Sequence, residues 1–544
     1  MAPRLHSRLL FLLSAACSCG PTPPDLPTQK VSSSFVFKEH AFSFENFGGV
    51  AFGSAMDEDL MARMFGKQSV CLPSSGDSCQ LLPIAKEYRT ALNQSLRGGR
   101  CEGFAVLSGL IAQGRVDLTP FGGGAAYDLP IEDDRALGQE IAYWFSTQFL
   151  RDVVPQSTLV LDAVSALELL HQSFKDAPNA MWRIGLARID ATTGALSGGH
   201  AVLAIYVAPA KDEGKYVIGI YDSNHPEAPR EMLVTAATDS WSYQASTDAD
   251  NADTLYSGDL DDGNSLYLAP IEPREGQHPC TFCELDANDE EALAQVFGSA
   301  SAEIVAVTAN GERIGEQDGN LVSEHEDGHA LPAFTAACHD CRDHMHMGVP
   351  HDPQEGVTLE IRAATHALVE EGVVTPVEAS YFGHGFAVTI EGADVDDEEL
   401  HFLKIGGAGI DATFTSEPVE ADNFAVLSLA VHLDNAEQVL VETRAQGSAS
   451  CEVKIDSILG DPTITIRGEL TAAPSALVRV TISEGATLRV FSADVPAPPA
   501  GSATIVLAES VQGGEVTALL DNDGDGVVDE QLALPDLGIT TDEL

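Results

Sequence analysis

Basic side chains are scarce in this sequence. The chain of 544 residues has 29 Lys and Arg against 83 Asp and Glu, a formal net charge of −54. Such a chain repels phosphate backbones and anionic lipid head groups, so we expect no nucleic-acid partner and no charge-driven membrane binding. The excess of acidic residues is typical of a heavily solvated surface.

Long apolar runs are missing after the N-terminus. No later stretch reaches the roughly 18 uninterrupted apolar residues of a membrane-spanning helix, so we expect the rest of the chain to be soluble. Apolar residues still make up 44% of the sequence, which excludes wholesale disorder. At about 100–200 residues per domain, the length favours three or four domains over one.

The N-terminus has the layout of an export signal. Two arginines, Arg4 and Arg8, precede a short apolar run at residues 9–13, and small residues follow. We therefore predict a signal peptide over residues 1–16 and an extended, proline-rich tether over residues 17–35.

Residues 13–17, Leu-Ser-Ala-Ala-Cys, resemble the cleavage box of bacterial lipoproteins, although Ser14 stands where Leu is usual. The resemblance implies an exported protein of the bacterial cell envelope whose only link to a membrane is a lipid on Cys17, with Cys19 as a rival acceptor. The alternative is an ordinary signal peptide cut near Ala16, which would give a secreted protein.

The chain has ten cysteines. Cys71 and Cys79 bracket a turn-rich loop, and we predict a local disulfide between them, since export makes disulfides persistent. Cys101 and Cys451 are left over, and a leftover thiol in an oxidising compartment needs a functional reason.

Cys101 follows a glycine pair and begins a segment in which Phe104, Leu107 and Leu110 recur at helical spacing. We expect this cysteine in the first turn of a buried helix. The positive end of a helix stabilises a thiolate, and a nearby imidazolium lowers the thiol pKa further.

A second glycine pair precedes His200, which opens an apolar strand. A polar turn and a second strand, residues 216–221, complete a predicted hairpin. Asp222 and Asn224 stand at its end, where either side chain can accept a hydrogen bond from His200 and fix its tautomer.

The order of a cysteine, then Gly-His-Ala-Val, then Tyr-Asp-x-Asn-x-Pro resembles the papain-like cysteine peptidases, especially their exported bacterial branches. The resemblance implies a catalytic domain over residues 36–275, with Cys101 as nucleophile and His200 as general base. Asp222 or Asn224 would be the orienting residue. Papain-like enzymes also place an oxyanion-binding Gln upstream of the cysteine.

Gln94, with Asn93 as the alternative, is the residue to which that oxyanion role would fall. It lies seven residues before the cysteine, where papain has six. The context also departs from papain, because Glu102 follows Cys101 where papain has Trp. A carboxylate at that position is expected to oppose thiolate formation.

Cysteine and histidine are concentrated in residues 276–354, which we interpret as a linking segment. It carries two CxxC pairs, which form disulfides, a four-thiolate zinc site or a redox-active pair: Cys280, Cys283, Cys338 and Cys341. His325 and His329 also match an HExxH zinc-protease pattern. The Asp-Gly pair between them and the nearby proline disfavour the helix that this motif requires.

From about residue 355 the sequence reads as short strands separated by Gly, Asp, Asn and Pro. We predict two β-rich modules of the β-sandwich type, over residues 355–450 and 451–544. Near the end, carboxylates at loop positions 1, 3, 5 and 9 with glycine at position 6 match a calcium loop, namely Asp521, Asp523, Asp525 and Asp529. Leu532 at position 12 departs from an EF-hand.

The sequence thus predicts an α+β protein in which a papain-like domain precedes β-sandwich-like modules. We expect an exported thiol hydrolase acting on peptide or protein substrates, with structural calcium, zinc as the alternative to disulfides at the CxxC pairs, and no organic cofactor. An inactive papain-like scaffold and a transglutaminase-like acyltransferase are the alternatives.

Overall fold

The computed structural model describes residues 24–534 with internal gaps. The gaps are residues 50, 54, 74–77, 132–133, 155–158, 190–195, 246–254, 260–265, 284–292, 300, 335–344, 353, 365–374, 396–399, 407–410, 418–423, 433–437, 447, 457–462, 471–475, 485–486, 496–501, 507–515 and 522–529. The described chain mixes helices with antiparallel sheets, so the α+β class is confirmed.

The helices lie in the N-terminal third. The α-helices are α1 (Phe37–His40), α2 (Glu58–Phe65), α3 (Lys67–Val70), α4 (Pro83–Ser95), α5 (Cys101–Ala112), α6 (Arg135–Ser146) and α7 (Ala163–Asp176). Short 3-10 helices are Ala51–Gly53, Leu96–Gly98, Thr119–Phe121, Ala126–Asp128, Thr147–Phe149, Glu272–Arg274 and Thr281–Cys283. No helix among the described residues has the length and apolar character that a membrane span requires.

Aspartate side chains fix where three of these helices begin. Asp57, Asp134 and Asp162 each accept a hydrogen bond from the backbone N–H three residues on, at the starts of α2, α6 and α7. Helix α4 begins instead with Pro83, which needs no N–H partner. Helix α5 is buried from Cys101 to Ile111, as expected from its apolar sequence.

The first sheet follows the helices and contains the hairpin that the sequence predicted. Its strands are β1 (Val31–Ser32), β2 (Leu159–Leu161), β3 (Trp182–Ile189), β4 (Leu196–Pro209), β5 (Lys215–Tyr221), β6 (Arg230–Thr235), β7 (Ser240–Gln244), β8 (Leu255–Gly258) and β9 (Leu266–Pro270). The order is β2-β9-β3-β4-β5-β6-β7-β8, and β1 pairs with β4. The sheet curls, so that β8 returns towards β3.

Two further antiparallel sheets form the rest of the described chain. The second sheet has the order β14-β15-β10-β17-β18-β21-β22-β25-β26. Its strands are β10 (Leu293–Gly298), β14 (His329–Pro332), β15 (Met345–Pro350), β17 (Thr375–Gly383), β18 (Phe386–Val395), β21 (Phe424–His432), β22 (Gln438–Gln446), β25 (Ala476–Glu484) and β26 (Thr487–Val495).

The third sheet has the order β13-β12-β11-β16-β19-β20-β23-β24-β27-β28-β29. Its strands are β11 (Ala302–Thr308), β12 (Arg313–Gln317), β13 (Asn320–Ser323), β16 (Val357–Ala363), β19 (Leu400–Ile405), β20 (Asp411–Glu417), β23 (Ser448–Asp456), β24 (Thr463–Leu470), β27 (Ser502–Val506), β28 (Val516–Asp521) and β29 (Glu530–Leu534). One apolar cluster contains side chains of both sheets, for example Val388 with Leu359, so their inner faces pack together.

This topology differs from the predicted division of the C-terminal half. Strands β10 to β15 fall inside the segment that the sequence analysis treated as a link, residues 276–354, yet they belong to the two large sheets. The predicted boundary between residues 450 and 451 lies inside β23, and both sheets continue across it. The composition of the link, rich in Cys and His, concealed strands whose alternation is the usual signal.

Candidate functional site

Cys101 is the first residue of α5, and its side chain is completely buried. The short 3-10 helix before it ends at Gly98 and is followed by Gly99, whose φ of 128° is accessible to glycine and strained for other residues. The cysteine therefore lies at the positive end of a buried helix, as the sequence predicted.

His200 lies on β4, beside β3, and is fully buried. The backbone N–H of the next residue, Ala201, donates a hydrogen bond to Cys101 Sγ over 3.2 Å. Helix α5 packs against this strand. The fold thus brings the predicted nucleophile to the strand of the predicted base.

Asp222 directly follows β5 and orients the imidazole. Its Oδ1 lies 2.8 Å from His200 Nε2, and both side chains are fully buried. The same oxygen accepts the backbone N–H of Asn224 at 2.8 Å. The Tyr243 hydroxyl donates to the other carboxylate oxygen. The carboxylate therefore has three donors in an interior that otherwise disfavours its charge.

The pKa of Asp222 reflects this competition. Burial alone raises the pKa, but the His200 charge and the hydrogen bonds from His200, Tyr243 and Asn224 lower it to about 2. The ionised carboxylate only accepts hydrogen bonds, so His200 Nε2 carries the proton of this contact. Nδ1 is buried and has no hydrogen-bond partner among the described residues, so no hydrogen bond joins it to the Cys101 sulfur.

Of the two alternatives for the orienting residue, Asp222 makes the side-chain contact with His200, and Asn224 contributes its backbone N–H to Asp222. Gln94 lies half-buried in the last turn of α4. Within the described residues, no hydrogen bond joins its side chain to Cys101 or His200. The Asn93 side chain instead pairs with the backbone of Met56, through contacts of 2.8 and 3.1 Å.

Glu102, the carboxylate that the sequence analysis expected to oppose thiolate formation, is paired with two arginines. Its carboxylate is fully buried and accepts hydrogen bonds from Arg183 Nε at 3.0 Å and from Arg274 Nη2 at 2.5 Å. Burial lowers the pKa of Arg274 to about 10, still well above neutrality. The Glu102 carboxylate is therefore counterbalanced by two buried guanidinium groups.

Two residues beside the cysteine were missed by the sequence analysis. The Arg100 side chain is buried and donates to the carbonyl oxygens of Phe47, at 2.8 Å, and Gly49. Asn46 accepts the Arg100 N–H at 2.7 Å and donates its own N–H to Ser223 at 3.0 Å. Asn46 therefore links the start of α5 to the segment that carries Asp222. No local sequence pattern marks either contact.

The cysteine predictions have mixed outcomes. The Cys71–Cys79 disulfide is confirmed. Cys280 and Cys283 form the second disulfide, one of the alternatives for this CxxC pair. Cys338 and Cys341 lie outside the described residues, as do Cys17 and Cys19. Cys101 takes part in neither disulfide.

The metal predictions fall largely outside the described chain. Asp521 ends β28, and Asp523, Asp525 and Asp529 lie outside the described residues. His325 lies in a turn and His329 begins strand β14, so the helix required by HExxH is absent, as expected. Among the residues that the structure describes, no group of three or more metal-ligating side chains is present.

Comparison of the chain with protein-family models, with curated proteins and with solved structures finds no match in any of the three.

Proposed function

We propose that this protein is a papain-like thiol hydrolase that cleaves peptide bonds through Cys101, His200 and Asp222. The observation that supports this most is that the Cys101 sulfur contacts the backbone of the strand that carries His200, which is paired with Asp222. Ala201 N–H contacts Cys101 Sγ at 3.2 Å, and the neighbouring His200 contacts Asp222 at 2.8 Å. A buried nucleophile, base and orienting carboxylate in this order are the parts that covalent acyl chemistry requires.

In the proposed reaction, the Cys101 thiolate attacks the carbonyl carbon of a peptide bond and forms a tetrahedral oxyanion. Backbone N–H groups in the first turn of α5 would stabilise the oxyanion, with Gln94 as the second donor implied by the resemblance. The C–N bond then breaks, and the imidazolium of His200 gives its proton to the leaving amine. The product is a thioester on Cys101.

Water completes the cycle. His200 removes a proton from water, the resulting hydroxide attacks the thioester, and the carboxylic acid leaves as the Cys101 thiol is restored. An amine in place of water would form a new amide, which is the transglutaminase-like alternative. The complete burial of Cys101 favours a third possibility, an inactive scaffold.

The cationic surroundings support the thiolate that this mechanism needs. Arg100, Arg183 and Arg274 are buried near the start of α5, against Glu102 and Asp222 as buried carboxylates. Each guanidinium remains protonated at neutral pH. A buried excess of positive charge, added to the helix N-terminus, lowers the pKa of a neighbouring thiol.

The test is hydrolysis of an unfolded protein substrate by purified variants. We expect Cys101→Ala to abolish cleavage and His200→Ala to reduce it by at least about 100-fold, the usual scale of general base catalysis. His171→Ala is the matched control, because this buried histidine contacts the Asp25 carbonyl oxygen and not the site. Cleavage that survives Cys101→Ala would refute the proposal. Amine incorporation exceeding hydrolysis would identify the transferase.

We also propose export and lipid anchoring at Cys17 or Cys19. Two disulfides in the described chain, Cys71–Cys79 and Cys280–Cys283, support an oxidising compartment. Metabolic labelling with a fatty acid, compared between Cys17→Ala and Cys19→Ala, tests the anchor and its position.

A further inference from the structure

The candidate site is sealed from solvent. Cys101, His200 and Asp222 each have 0% exposure. A peptide bond cannot reach the sulfur of Cys101 while these side chains are covered. Some part of the protein must therefore move before a macromolecular substrate binds.

Phe334 covers the cysteine. Cys101, Ala201 and Phe334 form one small apolar cluster, against which Tyr267 packs. Phe334 is 3% exposed and follows β14 of the second sheet, far along the chain from the other members of the cluster. The cover of the candidate site therefore comes from the β-rich half of the molecule.

The fit of Phe334 is specific. Its backbone N–H donates to Gln148 Oε1 at 2.8 Å, and the Arg183 guanidinium lies 4.8 Å from its ring centroid. A Cβ atom on Gly185 would lie only 2.4 Å from Phe334 Cζ, so the ring rests on bare backbone. Gly185 is paired with Ala201, the residue that contacts the sulfur. The ring thus fills a depression beside the nucleophile.

Phe334 has no space to retreat inwards. The cavity behind it, lined in part by Phe149, Arg274 and His346, has room for no more than about one water molecule. Displacement must therefore carry the segment away from the first sheet.

We propose that residues 331–334 are an autoinhibitory segment, and that the depression of Arg183, Gly185 and Tyr267 which Phe334 fills is a subsite for an aromatic side chain of the substrate. In the covered state the site is latent. A polypeptide with an aromatic residue near its scissile bond, or a change that detaches the segment, opens it. The inhibitory role rests on the proposed hydrolase function, whereas the cover over Cys101 can be measured without it.

The experiment follows alkylation of Cys101 by iodoacetamide in the native, full-length protein, with the modified peptide quantified by mass spectrometry. We expect Phe334→Ala to speed alkylation by about tenfold or more, because it removes the cover without touching the cysteine. Phe334→Leu keeps an apolar side chain over Cys101, so Cys101 in this variant should be alkylated at close to the rate of the original protein. Phe386→Ala is the matched control, since Phe386 is also 3% exposed but packs in the other core, against Tyr381.

Gly185→Ala is a second route to the same result, because the added Cβ would lie 2.4 Å from Phe334 Cζ and 2.8 Å from Arg183 Nη1, and both side chains must shift without a cavity being created. Equal alkylation rates in the original protein, Phe334→Ala and Gly185→Ala would overturn the proposal. So would an equal acceleration by Phe386→Ala, which would indicate general loosening. Faster alkylation of Phe334→Ala without any peptide hydrolysis would support the cover over Cys101 and would contradict the proposed hydrolase function.

The subsite has its own readout. The acetylated, amidated peptide Leu-Pro-Ala-Phe, the sequence of residues 331–334, should protect Cys101 of Phe334→Ala from alkylation at millimolar concentration. The peptide Leu-Pro-Ala-Ala should not. Equal protection by both peptides, or by neither, would overturn the aromatic subsite.

Discussion

At the scale of single residues, the carboxylate of Asp222 is held ionised in a site without solvent. Its pKa of about 2 lies below the ordinary value near 4, so the folded protein favours the charged form. This contribution to stability is complete above pH 4 and is lost as the pH falls through 2. A shift of roughly two pKa units corresponds to about 2–3 kcal/mol.

We therefore expect Asp222→Asn to lower the free energy of unfolding by about 2 kcal/mol at pH 7, with a smaller deficit as the pH falls from 4 towards 2. Urea unfolding at several pH values measures this. Asn224→Ala is the control, because the contact of Asn224 with the carboxylate is made by its backbone N–H, which the substitution keeps. Parallel pH profiles for Asp222→Asn and the original protein would contradict the account.

Glu102 is the second buried charge whose removal is informative. Without its carboxylate, Arg183 and Arg274 remain as buried guanidinium groups with no counter-ion from Glu102. We expect Glu102→Gln to cost about 3–5 kcal/mol, the scale for breaking a buried ion pair. Glu58→Gln removes the half-exposed pair with Arg89 and should cost at most about 1 kcal/mol. Chemical denaturation at pH 7 compares the free energies of unfolding of the two variants. Equal losses of stability would show that the burial of the Glu102 pairs does not cause the larger effect.

The candidate site was more predictable than its surroundings, for a physical reason. Cys101 and His200 each follow a glycine pair, and Asp222 follows the end of a strand, so each carries a local mark in the sequence. The contacts of Phe334 with the Cys101 cluster and of Arg274 with Glu102 join distant segments. Such contacts leave no local periodicity, so sequence reasoning cannot find them.

At the scale of elements, helix α4 connects the helical region to the second sheet. It packs on β18, β21 and β22, and the Ile84 N–H donates to Gln438 Oε1 at 3.0 Å. Glu87, on the same helix, meets Glu391 and Glu442 of the sheet. Burial, followed by the charges of those two carboxylates, raises the pKa of Glu87 to about 7.

The raised pKa of Glu87 predicts that the contribution of this contact to the free energy of unfolding decreases as the pH rises. The folded protein binds the Glu87 proton more tightly than the unfolded chain, so the contribution is complete below about pH 4 and is lost as the pH rises through 7. We expect Glu87→Gln to stabilise the protein by about 1–3 kcal/mol at pH 8 and by less at pH 5. Exposed Glu45, changed to Gln, should show no such trend. The free energies of unfolding of the two variants and the original protein, measured at pH 5 and pH 8, test this prediction. An effect of Glu87→Gln that is the same at both pH values would contradict it.

The second sheet illustrates how composition misled the element prediction. The Cys- and His-rich segment was interpreted as a link, but its His346 is a buried residue of β15 whose ring lies near Phe149 and Phe297, at centroid distances of 5.4 and 5.2 Å. Burial, together with the neighbouring His329, lowers its pKa well below the ordinary value. The imidazole is therefore neutral and packs as part of the interior, which the residue type alone does not reveal.

At the scale of the whole molecule, the helical region and the β layers share one core. A single buried cluster contains Tyr88 of α4 together with Phe382 and Leu440 of the second sheet. The Tyr88 ring stacks on Phe282 at 4.2 Å and meets Phe382 edge-on at 4.9 Å. Removing the sheets would expose the apolar face of α4 to water.

The sequence placed the end of the catalytic domain at residue 275, and the shared core predicts that this fragment does not fold alone. Residues 24–275 keep Tyr88 and the catalytic candidates but lose Phe282, Phe382 and Leu440, which cover Tyr88. We expect the fragment to lack near-ultraviolet circular dichroism and a cooperative unfolding transition, because its stability depends on that burial. Residues 24–544 are the control and should unfold with the midpoint of the full chain. A cooperative transition of the short fragment near that midpoint would mean that residues 24–275 fold by themselves and that the β layers dock on an already folded domain. Phe334 would then cover Cys101 from a second, independently folded part of the chain.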